Sequence, residues 1–231
     1  YVEGLFFIYH SLAILWINLG DYDQAESWLQ KEYALSEKEQ HKPTLANTLC
    51  SLGNVYIEKG KHGEAIDYYQ RGLELAEEQG NLQTIAHLLL NLGNALWEHG
   101  NKTAGEEATQ KARQLAQEIE HWPLYSVCLS NLAEMAFLQN NYETASTLRQ
   151  QALALARQMG DRRNEATDVV LLGYDASRLG QPDKAKQFFL EGLKLAHTIS
   201  LKPTMLDVLI GLAELDILAK RSEVGLANLV F

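Results

Sequence analysis

The side chains best suited to recognition chemistry in this chain are carboxamides. Asn54 and Asn94 stand 40 residues apart, with Asn91 and Asn131 in the same stretch. An amide donates and accepts hydrogen bonds at once. An extended peptide backbone offers both kinds of group at every residue, so a row of amides suits it. Trp97, Phe137 and Tyr174 add large anchoring surfaces of the sort concentrated at binding hot spots. Glu58, Glu98, Glu134 and Glu214 bias such a surface toward basic or amide-bearing ligands.

Catalytic chemistry has no comparable signal. The histidines, at His10, His41, His62, His87, His99, His121 and His197, form no His-x-x-x-His pair. None sits beside Cys50 or Cys128 at metal-ligand spacing. His41 and His121 share a position at a helix start, where a solvent-exposed or capping histidine is expected. Gly60-Lys61 lacks the remaining residues of a phosphate-binding loop, and Asn101-Lys102-Thr103, formally a glycosylation sequon, falls at a helix–helix turn. Glu77-Glu78 and Glu106-Glu107 read as solvated faces. The expectation is a protein with no enzymatic activity, no cofactor and no metal.

What positions these residues is a 40-residue register. Gly20, Gly60, Gly100, Asn140, Gly180 and Lys220 align, and five residues on stand Ala25, Ala65, Gly105, Ala145, Ala185 and Gly225. Ala13, Gly53, Gly93, Ala133, Gly173 and Ala213 form a third column, each preceded by Leu. A fixed period of this size means a solenoid, in which each repeat buries its apolar face against its neighbours. Turn signals recur about every 20 residues, and Pro43, Pro123 and Pro203 share a column at a helix start. Between turns, Leu45, Leu49, Leu52 and Tyr56 follow helical spacing, as do Ala65, Tyr69, Leu73 and Ala76. Eleven helices of about 18 residues are expected, each roughly 27 Å long, the last one cut short at Phe231. The repeats run approximately 1–40, 41–80, 81–120, 121–160, 161–200 and 201–231, in a single array over residues 1–231.

These columns resemble the tetratricopeptide repeat: Leu52-Gly53-x-x-Tyr56-x-x-x-Gly60, then Ala65, Tyr69 and Leu73. The period of 40 rather than 34 is similar to the family's longer-helix class. Leu96 departs from the Tyr56 column, Thr109 and Arg149 from the Tyr69 column, and Glu32 from a column of Gly or Ala. The resemblance implies an all-α, right-handed superhelical solenoid of antiparallel helix pairs, with the first helix of each repeat lining a concave groove. By spacing, the groove stripe is then Asn47, Cys50, Asn54 and Ile57/Glu58 in the second repeat. The third repeat contributes His87, Leu90/Asn91, Asn94 and Trp97/Glu98, and the fourth Val127, Ser130/Asn131, Glu134 and Phe137. In the fifth the stripe is Thr167, Tyr174 and Ser177/Arg178, and in the sixth Asp207 and Glu214. The implied function is capture of a protein segment or peptide. Bacterial arrays at the C-terminal end of signal-transduction ATPases and transcriptional activators are similar, which implies upstream domains on the same polypeptide.

Composition restricts the partners. Thirty acidic against 20 basic residues give a net charge of −10. That disfavours binding to nucleic-acid phosphates or to an anionic membrane surface. Two cysteines two repeats apart favour a reducing compartment over a disulfide, so a cytoplasmic location is expected. The first helix is apolar on all sides: Phe7, Ile14 and Ile17 fall in groove columns, and Leu12, Leu15 and Trp16 elsewhere. Such a helix should be covered. Self-association through Phe7, Ile14 and Trp16, as a structural scaffold, is therefore a rival to ligand capture; a receptor pocket for a small molecule or peptide signal is another. Both ends, Tyr1 and Leu229-Val230-Phe231, read as cuts in a longer protein.

Overall fold

The computed structural model describes the backbone of residues 2–229 and the side chains of residues 2–220. Tyr1, Val230 and Phe231 lie outside the described residues, as does the side-chain packing expected at Gly225 and Leu229. Among the described residues there are eleven helices and no strands. They are α1 (Val2–Asn18), α2 (Tyr22–Lys38), α3 (Lys42–Glu58), α4 (His62–Glu78), α5 (Leu82–Glu98), α6 (Lys102–Glu118), α7 (Trp122–Leu138), α8 (Tyr142–Met159), α9 (Arg162–Arg178), α10 (Pro182–Thr198) and α11 (Lys202–Leu229). The array is all-α, as the columns require. No described helix is long and apolar enough to cross a membrane.

One local device, repeated every 20 residues, sets the helix ends. Gly20, Gly60, Gly100, Asn140 and Gly180 all adopt positive φ, and so do Gln40, Gly80, Glu120, Gly160 and Ser200. Two residues after the helix end, the chain folds back. His41 N–H donates to the Ser36 carbonyl, Lys61 to Tyr56, Asn81 to Ala76 and Asn101 to Leu96. These six-to-one bonds satisfy carbonyls that the helix itself leaves open, the geometry of a Schellman motif. The next helix is capped at once. Asp21, Asn81, Asn101, Asn141 and Asp161 accept from the backbone N–H three residues on. His41 and His121 do the same with Nδ1, from Thr44 and Leu124, so their shared column is a capping column. The turn expected at Lys220 is absent, because α11 continues to Leu229.

The chain forms two compact units, Tyr1–Cys128 and Leu129–Phe231, with the boundary inside α7. In the first unit the small-residue columns let helices close on one another. Tyr69 lies over Gly53, where any Cβ would strike its ring. Thr109 replaces that tyrosine in the next repeat, and a Cβ at Gly105 would there strike the backbone of Gly93 and Trp97. So α5 and α6 meet backbone to backbone. Ala46, Ala65, Tyr69, Ala76, Leu88 and Ala95 form the core between α3, α4 and α5. In the second unit Phe189 fills the space left by Gly173 and Gly211, within a core of Val170, Ala176, Ala185 and Val208. Each such aromatic, fully buried, contributes roughly 1.5–3 kcal/mol.

Candidate functional site

In the first unit, α1, α3 and α5 line an open groove. One part has a volume of about 680 Å³ and includes Asn47, Asn54, His87 and Asn91 from the expected stripe. A second part of about 380 Å³ carries Asn54, Glu58, Asn91, Asn94 and Glu98. The two parts share Asn54 and Asn91, which therefore lie at the centre.

That centre is held in place from the helix behind it. The Tyr69 hydroxyl donates to Asn54 Oδ1 at 2.7 Å, and Asn91 Nδ2 donates to the same oxygen at 3.2 Å. Asn91 Nδ2 also donates to Cys50 Sγ at 3.3 Å. Both acceptor sites of Asn54 and both amide hydrogens of Asn91 are thereby used. The groups outside these bonds are the Asn54 NH2, a donor, and the Asn91 carbonyl, an acceptor. Tyr69 is buried and its hydroxyl is held protonated, since burial comes first among the causes that raise its pKa. It reaches Asn54 only because residue 53 is glycine.

The remaining predicted residues of this unit divide. Glu58 is exposed and accepts from the Tyr22 hydroxyl at 3.0 Å. His87 is half-buried with its ring edge-on to His121, and burial, then His121, lowers its pKa. Trp97 is not in the groove. It is only 7% exposed, in the core, with the Lys102 ammonium 5.5 Å from its ring, and its neighbour Glu98 takes the groove position.

The second unit repeats the plan with different chemistry. Glu134 stands where Asn54 stands, and Arg149 where Tyr69 stands. Arg149 is 1% exposed and reaches Glu134 at 3.0 Å, holding this half-exposed carboxylate from behind. Phe137 covers the guanidinium, 5.6 Å from its ring, and packs edge-on against Tyr142. One repeat on, Tyr174 and Phe189 are the corresponding pair, with ring centroids 5.0 Å apart. Tyr174 lines a cavity of about 320 Å³ with Thr167 and Asp207, and its hydroxyl donates to the Asp207 carbonyl at 2.7 Å. Asn131 is half-buried on α7, and Arg178 is exposed in the last turn of α9.

Arg149 also faces Asp175, wholly buried, at 3.0 Å. Burial pushes the Asp175 carboxyl up to about 6 and that of buried Asp168 up to about 7, while Arg149 opposes both shifts. Arg149 thus pairs with buried Asp175 and with Glu134, and of the two buried acids Asp168, which it does not contact, is raised the further. Tyr69 and Arg149 were the site residues hardest to see in the sequence. Their only signal was a column in which Tyr, Thr, Arg and Phe succeed one another. Among the described residues no cluster of His, Cys, Asp or Glu could hold a metal ion.

The tetratricopeptide repeat model matches residues 5–78, 84–158 and 129–198. Several solved structures share the fold. A signal-transduction ATPase with numerous domains and a tetratricopeptide repeat sensor, from Pyrococcus horikoshii, is 22% identical, with a TM-score of 0.78 over 93% of this chain and 34% of its own. Aspartyl phosphate phosphatase F from Bacillus subtilis is 15% identical, with a TM-score of 0.80 over 94% of this chain and 58% of its own. A Rap protein complexed with competence and sporulation factor is 14% identical, with a TM-score of 0.76 over 94% of this chain and 65% of its own. The chain therefore spans about a third of the first and less than two thirds of the other two. No curated protein sequence gives a significant match.

Proposed function

Because this chain belongs to the tetratricopeptide repeat family, we propose that it is a binding module whose groove takes up an extended protein segment or peptide. The observation that carries this reading is the fixed amide pair of Asn54 and Asn91. A donor and an acceptor, side by side and pre-oriented, match the N–H and C=O of one peptide unit. Pre-orientation matters because it removes an entropic cost that a free side chain would meet on binding. Asn47, Asn94 and Glu98 extend the polar lining on either side. In the second unit Glu134, Phe137 and Tyr174 offer a carboxylate and two aromatic faces.

The fold neighbours support a regulatory setting: one is a signal-transduction ATPase with a tetratricopeptide repeat sensor, and another is a Rap protein complexed with competence and sporulation factor. We read the present chain as the sensor or partner-recognition region of a larger bacterial regulator, with no catalytic role of its own. The test is affinity capture from lysate with wild type and with Asn54→Ala/Asn91→Ala, followed by titration of the captured segment as a synthetic peptide. The double variant is expected to bind at least about tenfold more weakly, the loss of one to two net hydrogen bonds. Equal affinity would remove the groove from consideration.

A second reading rests on α1, where Phe7 is 75% exposed, Ile14 46% and Leu15 50%. Self-association through Phe7 and Ile14 would cover this face, whereas Trp16 is half-buried against the α1–α2 core. Light scattering across a dilution series tests it. A mass that stays monomeric at high concentration would end this reading.

A further inference from the structure

The first repeat places two ionisable residues in columns that elsewhere hold uncharged ones. Glu32 occupies the column of Gly72, Ala112, Ala152 and Gly192, and His10 the column of Cys50, Leu90, Ser130, Val170 and Ile210. The two meet: His10 Nδ1 lies 3.0 Å from Glu32 Oε2, and Glu32 is only 3% exposed. Elsewhere this column closes the packing. A Cβ at Gly192 would collide with Val170, and one at Gly72 would press on Leu88 and the Ala46 carbonyl. In the first repeat a carboxylate fills the slot, and it lines the 680 Å³ part of the groove together with His10.

Packing does not explain the pair. Glu32 is buried but its partner His10 is a third exposed, and such a pair contributes little net stability, while the other four repeats manage with Gly or Ala. Electrostatics gives a direction instead. Among the described residues, the two parts of the groove in this unit are lined by Glu32, Glu58 and Glu98, and by no Lys or Arg. His87 is pushed toward its neutral form. Glu32 raises the pKa of His10 against the opposing effect of burial, which marks this carboxylate as one that draws a cation to itself.

We propose that Glu32 is the specificity residue of the groove, receiving a basic side chain of the bound peptide, with His10 the stand-in that this side chain displaces. The proposal rests on the groove reading above and adds the class of ligand: a segment whose backbone meets Asn54 and Asn91 and whose Lys or Arg side chain enters beside Phe6 and Cys50.

The experiment uses a library of ten-residue peptides with one fixed position, occupied in turn by Arg, Lys, Gln or Glu between randomised flanks. The library is incubated with the full chain and the retained peptides are sequenced. Wild type should enrich Arg and Lys over Gln and Glu by roughly tenfold or more, as a charge-assisted hydrogen bond in a shielded site implies. Glu32→Ala installs the residue of two other repeats, so it should keep the wild-type circular dichroism and lose the preference. Glu32→Gln, which keeps the shape, should lose it equally. His10→Ala should keep or strengthen it. Peptides retained without a basic preference, or a preference that survives Glu32→Ala, would overturn the proposal and leave the groove reading intact. So would a preference that collapses with His10→Ala. Retention of no peptide at all by wild type would overturn both.

Discussion

A tyrosine hydroxyl decides which face of Asn54 meets the groove. Without it, the amide can rotate and the donor–acceptor pair with Asn91 loses its fixed sense. Tyr69→Phe keeps the ring over Gly53 and removes only the bond at 2.7 Å. Its expected cost to stability is about 1 kcal/mol, read by urea denaturation. Its effect on affinity for a groove peptide should be comparable to that of Asn54→Ala. Unchanged affinity would show that Tyr69 is packing alone. A second prediction concerns protons. Burial holds the carboxyl of Asp168 up to about 7 in the folded chain, from an ordinary value of 3.8. Between those values the folded state keeps a proton that the unfolded state has lost, so stability falls as pH rises through that window. Asp175, raised to about 6, acts in the same direction. Asp168→Asn should therefore stabilise the chain at pH 8, by on the order of 2 kcal/mol. The advantage should shrink toward pH 4. Melting curves of the two proteins at pH 5 and pH 8 check the sign, and a wild type that gains stability on going to pH 8 would contradict it.

At the scale of the helix, the recurring left-handed residue makes the connections, and its chemistry is uneven. Gln40, Glu120 and Ser200 hold φ of 54°, 56° and 57°, where a side chain is strained. Replacing each by Gly should raise stability by roughly 0.5–1 kcal/mol, since the native conformation is one that Gly adopts freely. Chemical denaturation of the three single variants measures this; a loss at all three would mean that the wild-type side chains make compensating contacts. These positions also mark how far the sequence could be read. The 40-residue register was legible because small residues at 53, 65, 93 and 105 are packing requirements, visible without coordinates. The turns at Gly20, Gly60 and Gly100 announced themselves. Those at Gln40, Glu120 and Ser200 did not, and the one expected at Lys220 does not form. In the candidate site, spacing put Asn47, Asn54 and Asn91 on one stripe but could not choose between Trp97 and Glu98. Adjacent helical residues point about 100° apart, so an edge position needs the neighbouring helix to decide it. Nor could spacing show that Tyr69 and Arg149, on second helices, reach Asn54 and Glu134. Each pair is 15 residues apart on different helices, and for Tyr69 it is the close approach at Gly53 that brings the two together.

For the molecule as a whole the decisive quantity is charge. A net charge of −10, with no Lys or Arg among the described residues that line the first unit's groove, makes the ligand's approach an electrostatic event as well as a fit. A field of one sign over a recessed surface speeds the arrival of oppositely charged partners, and salt screens it over about 8–10 Å at ordinary ionic strength. For a basic groove peptide, then, the association rate should fall by about tenfold between 50 and 500 mM NaCl. Dissociation should respond less, because the Glu32 carboxylate is buried and shielded from the added ions. Stopped-flow fluorescence, with a dye on the peptide, separates the two rates. Glu58→Gln/Glu98→Gln, which neutralises exposed charge on the groove's edge, should reduce the salt dependence of association and leave dissociation near wild type. Glu32→Ala should do the reverse, chiefly raising the dissociation rate. If both variants changed the same rate, the exposed rim and the buried carboxylate would have one role between them, and the groove would attract basic ligands without reading where their charge is placed.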